Sequence, residues 1–303
     1  MLDPKVFLVV GGDSLVGGGV MAAMARRGHK AYATSRRRDT LSPERVFLDF
    51  ESGDAIEIPD DVGYALVIAA ATNYDRCEKD PHARVINVEL IPRTIARLLD
   101  KGLFVTFVST NSVFGGERPW PNEDDPHAPG IAYAQQKSDA EAVIRDMAAA
   151  AGHSDRLNIV RLTKIMDAGV SPLPAWFAAW EAGKPIEPFA DLIFAPISVR
   201  FVGEGLTAIA ETRVTGNLHL SGAENVSYID FAKALMARLG IPDDLMAPTT
   251  SVAKGIHIPF LPRYSGLSMK RTTELTGVKP QPFDELINDL LEDHKKRLEG
   301  NRR

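Results

Sequence analysis

The chain has 303 residues, enough for one large domain or two that share a core, and its 45% hydrophobic and 25% charged content is that of an ordinary globular protein. A formal net charge of -5 with no long basic run argues against nucleic acid as a partner. Cys77 is the only cysteine, so no intrachain disulfide can form, which fits a cytoplasmic setting; the seven histidines show no metal-ligand spacing, so no metal site is expected.

The first element is a continuous apolar run, Val6-Phe7-Leu8-Val9-Val10, as expected for a strand buried on both faces, and it is too short for a signal peptide or a membrane span. It runs into a glycine-rich stretch, Gly11-Gly12-Asp13-Ser14-Leu15-Val16-Gly17-Gly18-Gly19, with a helix expected over residues 20–27. Strand, glycine-rich turn and helix together are the context of a dinucleotide-binding turn: glycines let the backbone approach a pyrophosphate, and the helix N-terminus favours its charge. An ordinary tight turn is the bland alternative.

A second strand is expected over residues 30–35 and ends directly in Arg36-Arg37-Arg38, with no acid before Asp39. Arginine here suits a ribose 2′-phosphate, whereas an acid would suit a 2′-hydroxyl, so NADP(H) is expected in preference to NAD(H). A third short strand over 46–48 ends at Asp49-Phe50. The fourth, over 65–71, ends in Ala69-Ala70-Ala71, small residues that leave room for a ligand at the strand end. A helix follows over 82–100, then a fifth strand over 103–108 ending in Ser109-Thr110-Asn111-Ser112, and a proline-rich loop over 118–129.

That loop leads to Tyr133-Ala134-Gln135-Gln136-Lys137 at the start of a helix. Four residues make about one turn, so the phenol and the ammonium leave the same face. A nearby cation lowers the phenol's pKa from roughly 10, which makes the pair a tunable general acid/base. Alone, the pair reads more readily as a chance i,i+4 contact on a solvated helix face. A sixth strand is expected over 157–162, after which the alternation of strand and helix breaks down in a proline- and tryptophan-bearing stretch. Asn217-Leu218-His219-Leu220-Ser221 reads as one more strand, with His219 a satisfied strand residue. A helix capped by Ser227 and an amphipathic surface helix over 283–298 complete the chain.

These residues resemble an extended short-chain dehydrogenase/reductase. Gly11, Ser14 and Gly17 stand where that superfamily has Gly-x-x-Gly-x-x-Gly, with serine replacing the middle glycine. Asp49-Phe50, Ala69-Ala70-Ala71 and Asn87 resemble its adenine-side, strand-four and helix positions. Thr110, Tyr133 and Lys137 match its catalytic set. Within the superfamily, residues 109–116 and Pro262-Arg263-Tyr264-Ser265-Gly266-Leu267 resemble the dTDP-4-dehydrorhamnose reductase family, with Asn111 and Ser112 replacing its aspartate and tyrosine.

The resemblance implies an α/β fold: a Rossmann-type doubly wound parallel sheet over residues 1–165, and a smaller C-terminal substrate-binding lobe with a C-terminal helix over 166–303, the strand near 217–221 returning to the sheet. It implies cofactor contacts from Gly11, Asp13, Ser14, Leu15, Val16 and Gly17 in the turn. Others come from Ser35, Arg36, Arg37, Asp49, Phe50, Ala69, Ala70, Ala71, Asn87, Val108 and Thr163, and from Tyr133 and Lys137. Thr72, Asn111, Ser112 and Arg263 are the expected substrate contacts. The implied activity is NADPH-dependent reduction of a keto group on a nucleotide sugar. Thr110 would orient the carbonyl, Tyr133 would give the proton, and Lys137 would serve both the phenol and the nicotinamide ribose. A sugar-nucleotide dehydratase would carry an Asp-Glu pair where Asn111-Ser112 stand. An epimerase remains open, as does a non-catalytic NADP-binding subunit like the regulatory subunit of methionine adenosyltransferase, and a homodimer is compatible with either.

Overall fold

The structure, a computed structural model, describes residues 5–52 and 56–300. Its centre is a seven-stranded, all-parallel sheet: β1 (Val6–Val10), β2 (Lys30–Ser35), β3 (Arg45–Phe47), β4 (Tyr64–Val67), β5 (Phe104–Thr110), β6 (Leu157–Leu162) and β7 (Gly216–Leu220), in the order β7-β6-β5-β4-β1-β2-β3. The chain builds outward from β1 in one direction, then returns to β4 and builds in the other. The reversal between β1 and β4 leaves a crevice at their C-terminal ends, the usual ligand position in such sheets. The expected doubly wound α/β architecture is therefore met.

Alternation along the strands sorts side chains into two cores. Leu8 and Val10 join Val67, Val105, Phe107 and Ile159 beneath helices Ile91–Asp100 and Ala132–Ala150. Phe7 and Val9 join Val108, Val160, Leu162 and Leu220 beneath the first helix, α1 (Leu15–Arg26), and Val199–Thr212. These two helices meet through glycine: a Cβ on Gly203 would stand 2.4 Å from the Gly19 carbonyl oxygen. Residues 199–212 and 216–220 thus return to the sheet, and the smaller lobe is interleaved with it.

That lobe has its own core, in which Trp176, Phe177, Trp180, Phe194 and Phe231 pack with Leu286, Ile287 and Leu290 of the C-terminal helix Phe283–Gly300. Two short strand pairs brace it, Ile193–Phe194 with Val226–Ser227 and Ile165–Met166 with Ile197–Ser198. The C-terminal helix, expected on the surface, buries one face here and leaves its charged face outside. Among the described residues no helix is long and apolar enough to cross a membrane.

Two of the boundaries that differ from the sequence reading shape the ligand edge. The first helix begins at Leu15, not at 20, because the Ser14 side chain accepts from the Gly17 N–H and caps it. The fourth strand ends at Val67, not at 71: the Ile68 and Ala69 amides both turn to the Val10 carbonyl, at 2.9 and 3.0 Å, which lays Ala69 over Gly11.

Candidate active site

The crevice between β1 and β4 is shaped by what cannot fit there. Gly11 has φ +98° and a Cβ on it would lie 2.8 Å from the Ala69 nitrogen. A Cβ on Gly17 would lie 2.3 Å from the Gly11 carbonyl oxygen. Both glycines are required by the turn itself, which brings bare backbone to the N-terminus of α1. Position 14 has no such requirement. Ser14 is exposed, in extended conformation at φ -77° and ψ 161°, and its hydroxyl bonds Gly17 N and Gly11 O at 3.0 and 2.8 Å. Serine is here a helix cap and no intrusion on a pyrophosphate. Leu15 is 42% exposed and Val16 half-buried at the same helix end. An open cradle of this shape, too tight for side chains within and anion-favouring at its rim, fits a dinucleotide.

At the end of β2 the expected absence of an acid is corrected. Asp13 is far from Ser35 in sequence, yet its carboxylate accepts from Ser35 Oγ at 2.5 Å and Arg45 Nη1 at 2.7 Å, with Arg37 Nη2 at 3.5 Å. Against the rise caused by partial burial, the Ser35 and Arg37 hydrogen bonds and the Arg45 charge hold its pKa below the usual carboxylate value. Arg38 lies over the Phe47 ring. Arg36 is exposed and, among the described residues, has no ion-pair partner. The corner thus holds one uncommitted guanidinium and two shared with Asp13.

Asp49 is half-exposed, its carboxylate accepting from the Glu51 amide at 3.0 Å, and Phe50 packs at the edge of the first core. Ala69 and Ala70 are half-buried at the strand end, and Thr72 is exposed beyond them. Asn87 was expected to face the cofactor. It is 1% exposed, sits on a π-helical turn (Ile86–Leu90), and spends both amide ends on Ala71: Oδ1 accepts from its N–H and Nδ2 donates to its carbonyl, each at 2.9 Å. Nδ2 also donates to Gln136 Oε1 at 2.8 Å. Both of its amide hydrogens are spent within the protein, so its buried amide ties the β4 end to the Tyr133 helix.

Helix Ala132–Ala150 presents Tyr133 half-buried at the cleft. Burial pushes the Tyr133 pKa up, not down, and the neighbouring Tyr74 and Cys77 add to it; the nearby Thr110 side chain, at the end of β5, opposes this only in part. The expected phenol–ammonium coupling is absent for a geometric reason. Lys137 is buried at 2% exposure, and its Nζ donates to the Val108 carbonyl at 2.7 Å, above the Phe107 ring. Desolvation, opposed by Glu141, pulls its pKa down to about 7. Thr163 is buried at the neighbouring strand end with its hydroxyl unpartnered.

Of the expected substrate contacts, Ser112 is buried and bonds Thr110 Oγ1 at 3.0 Å, so it positions the threonine and does not face a ligand. Asn111 donates to the Ser265 carbonyl and hydroxyl at 2.9 and 3.0 Å, which ties the end of β5 to segment 262–267. Arg263 is exposed, lies over Tyr264, and has no carboxylate partner among the described residues.

Sequence reading missed the hub that joins these parts. Arg161, 1% exposed on β6, donates Nε and Nη2 to the two oxygens of buried Glu141 at 3.1 and 2.8 Å, Nη1 to the Glu123 carbonyl at 3.0 Å, and Nη2 to His127 Nε2 at 2.9 Å. Glu141 lies one turn beyond Lys137, and Glu123 and His127 lie in the proline-rich loop. Burial alone would raise the Glu141 pKa; the Arg161 hydrogen bonds and charge reverse this and hold it at about 2. His219 stays neutral, its pKa lowered to about 3 by burial and by Arg161. A buried arginine on a strand together with an acid four residues after the lysine was the available signal.

Comparison with known proteins places this geometry. The profile of the RmlD substrate binding domain family matches residues 5–296. Comparison with curated protein sequences returns no match. Among solved structures, a dTDP-4-dehydrorhamnose reductase from Bacillus anthracis in complex with NADP is similar at TM-score 0.78 and 19% identity, covering 96% of this chain and 99% of that one. A UDP-N-acetylglucosamine 4-epimerase from Methanobrevibacter ruminantium is similar at TM-score 0.79 and 15% identity, covering 98% and 100%. MoeE5 in complex with UDP-glucuronic acid and NAD is similar at TM-score 0.77 and 19% identity, covering 97% and 100%. The expectation of an extended short-chain dehydrogenase/reductase related to the dTDP-4-dehydrorhamnose reductases is met: the chain belongs to the RmlD substrate binding domain family.

Proposed function

We propose that the chain is an NADP(H)-dependent reductase of a keto group on a nucleotide-activated sugar. The observation that carries this reading is the glycine cradle that admits no side chain at Gly11 and Gly17, with Thr110 at the C-terminal end of β5 and Tyr133 in the first turn of the helix Ala132–Ala150 on the same side of the sheet's ligand edge. The backbone at Gly11 to Gly17 would hold the pyrophosphate, and Arg36 a 2′-phosphate. When bound, the nicotinamide supplies the hydride. Burial keeps Tyr133 a protonated phenol, so it acts as the acid, giving its hydrogen to the oxygen that becomes a hydroxyl. Thr110 holds that oxygen in line with the phenol, and Ser112 holds Thr110. Lys137, half neutral near pH 7 and bonded to the Val108 carbonyl, would be the residue to hold the nicotinamide ribose. Neighbours bound to NAD and to NADP support a nicotinamide cofactor in general, and the Arg36 corner supports the phosphorylated form.

The experiment is NADPH oxidation with a panel of 4-keto nucleotide sugars, beside a test for interconversion of UDP-sugar epimers without net oxidation. Turnover of a keto sugar supports the reductase. Epimer exchange alone would indicate the epimerase. Tight NADP binding with neither reaction would indicate the non-catalytic subunit.

A further inference from the structure

Two demands at the ribose end of a dinucleotide oppose each other: an arginine suits a 2′-phosphate, and a carboxylate suits a 2′-hydroxyl. The corner at the end of β2 holds both groups. Arg36, Arg37 and Arg38 follow the strand, Arg45 stands on β3, and Asp13 reaches in among them. Asp13 arrives there because the glycine turn lies flat on β2. A Cβ on Gly12 would stand 2.5 Å from the Ala33 Cβ, and the Gly11 amide donates to Thr34 Oγ1 at 2.9 Å. Position 13 is therefore carried to the last residue of the strand.

There the carboxylate is held by groups from three elements. Ser35, 2% exposed, donates its hydroxyl to Asp13 Oδ2 at 2.5 Å, and Ser35 Oγ in turn accepts from the Arg37 amide at 3.0 Å. Asp13 Oδ1 accepts from Arg45 Nη1 at 2.7 Å, with Arg37 Nη2 at 3.5 Å. An exposed ion pair alone would mean little. Here a buried hydroxyl fixes the carboxylate, so its charge stays in the corner even when the arginines turn elsewhere. Arg37 and Arg45 cannot turn to a 2′-phosphate without leaving Asp13, and the phosphate would bring a second anion beside it. Two anions about 6 Å apart near a protein surface repel enough to change an equilibrium constant about tenfold. A 2′-hydroxyl brings no such charge, and a carboxylate with about four lone-pair sites still has room to accept it.

We infer that Asp13 is a specificity-determining residue of this corner: a fixed anion that opposes the 2′-phosphate, holds Arg37 and Arg45 in check, and so limits how far NADP(H) is preferred over NAD(H). Arg36, which has no ion-pair partner among the described residues, pulls the other way. This rests on the nicotinamide-cofactor part of the reading above and is independent of the sugar that is reduced.

Calorimetric titration with NADPH and NADH tests it, repeated with adenosine 2′,5′-bisphosphate and adenosine 5′-monophosphate, which present the same two ribose ends without the nicotinamide. Asp13→Asn keeps the side chain's shape and removes its charge. It should raise the ratio of NADPH to NADH affinity about tenfold, raise the bisphosphate-to-monophosphate ratio alike, and lose most of this gain at about 0.5 M salt. Asp13→Ala should shift both ratios in the same direction. Asp39→Asn removes an equal charge from an exposed side chain of the same loop, one without a partner among the described residues, and should shift either ratio less than about twofold. Thermal unfolding certifies the variants as folded. A ratio that moves less than about twofold in Asp13→Asn, or as large a shift in Asp39→Asn, would overturn the inference and leave the reductase reading standing. Failure of the unmutated protein to bind either dinucleotide would overturn both.

Discussion

Replacing Glu141 by glutamine isolates the contribution of the buried hub. The side chain keeps its shape and one acceptor oxygen, but Arg161, 1% exposed, loses its counter-charge. Removing one partner of a buried pair commonly costs about 3–5 kcal/mol, because the remaining ion stays desolvated and unpaired. The carboxyl itself gives a consistent figure. The gap between its pKa of about 2 and its ordinary 4.5 corresponds to about 3 kcal/mol at about 1.4 kcal/mol per tenfold. Because the folded pKa is the lower one, this stabilisation is fully present above pH 4.5 and is lost as pH falls through about 2. Urea unfolding followed by tryptophan fluorescence should therefore show Glu141→Gln about 3 kcal/mol less stable at pH 7, with less than about half of that difference left at pH 3. Against a typical total of about 5–15 kcal/mol, this is a large change. A difference under about 1 kcal/mol at pH 7, or one that persists undiminished at pH 3, would refute the reasoning.

Other outcomes follow from the same geometry. Ser14→Ala should cost about 1 kcal/mol of stability through the lost helix cap and Ser14→Gly only a few tenths, with NADPH affinity held within about twofold in both; thermal unfolding and cofactor titration measure the two, and a large loss of affinity in Ser14→Gly would mean that the hydroxyl itself is a ligand. Arg36→Ala should weaken NADPH about tenfold or more and leave NADH nearly unchanged, as titration of both cofactors against both proteins checks; equal affinities in the unmutated protein would contradict the preference. NADPH binding should take up a fraction of a proton at about pH 8, since Lys137 starts near 7 and gains hydrogen-bond acceptors on binding; calorimetry in two buffers of different ionisation heat reads this, and identical heats would exclude it.

The architecture was legible because its signals are local. Five apolar residues ending at Gly11 specify β1 and its turn, and the same logic carries through Ala69-Ala70-Ala71 and the end of β5. Local signals fail where the site is made by contacts across sequence. Asp13 reaches Ser35 and Arg45 only once β1, β2 and β3 lie side by side, so the acid that tempers the arginine corner is invisible in the stretch after β2. Helical spacing places Tyr133 and Lys137 on one face but does not say which acceptor the lysine finds, and the Val108 carbonyl wins it. Asn87 and Ser112 carry the right chemistry for ligand contact, yet packing turns them inward to hold Ala71 and Thr110.

In the proposed reduction Tyr133 delivers the proton. Tyr133→Phe removes one hydroxyl, keeps the ring against Tyr74, and leaves the glycine cradle untouched, so folding and NADPH affinity should change little. Single-turnover oxidation of bound NADPH by a keto nucleotide sugar, measured beside thermal unfolding, should then slow by about 10²-fold or more. A folded, cofactor-binding Tyr133→Phe protein that reduces the sugar at the original rate would contradict the claim.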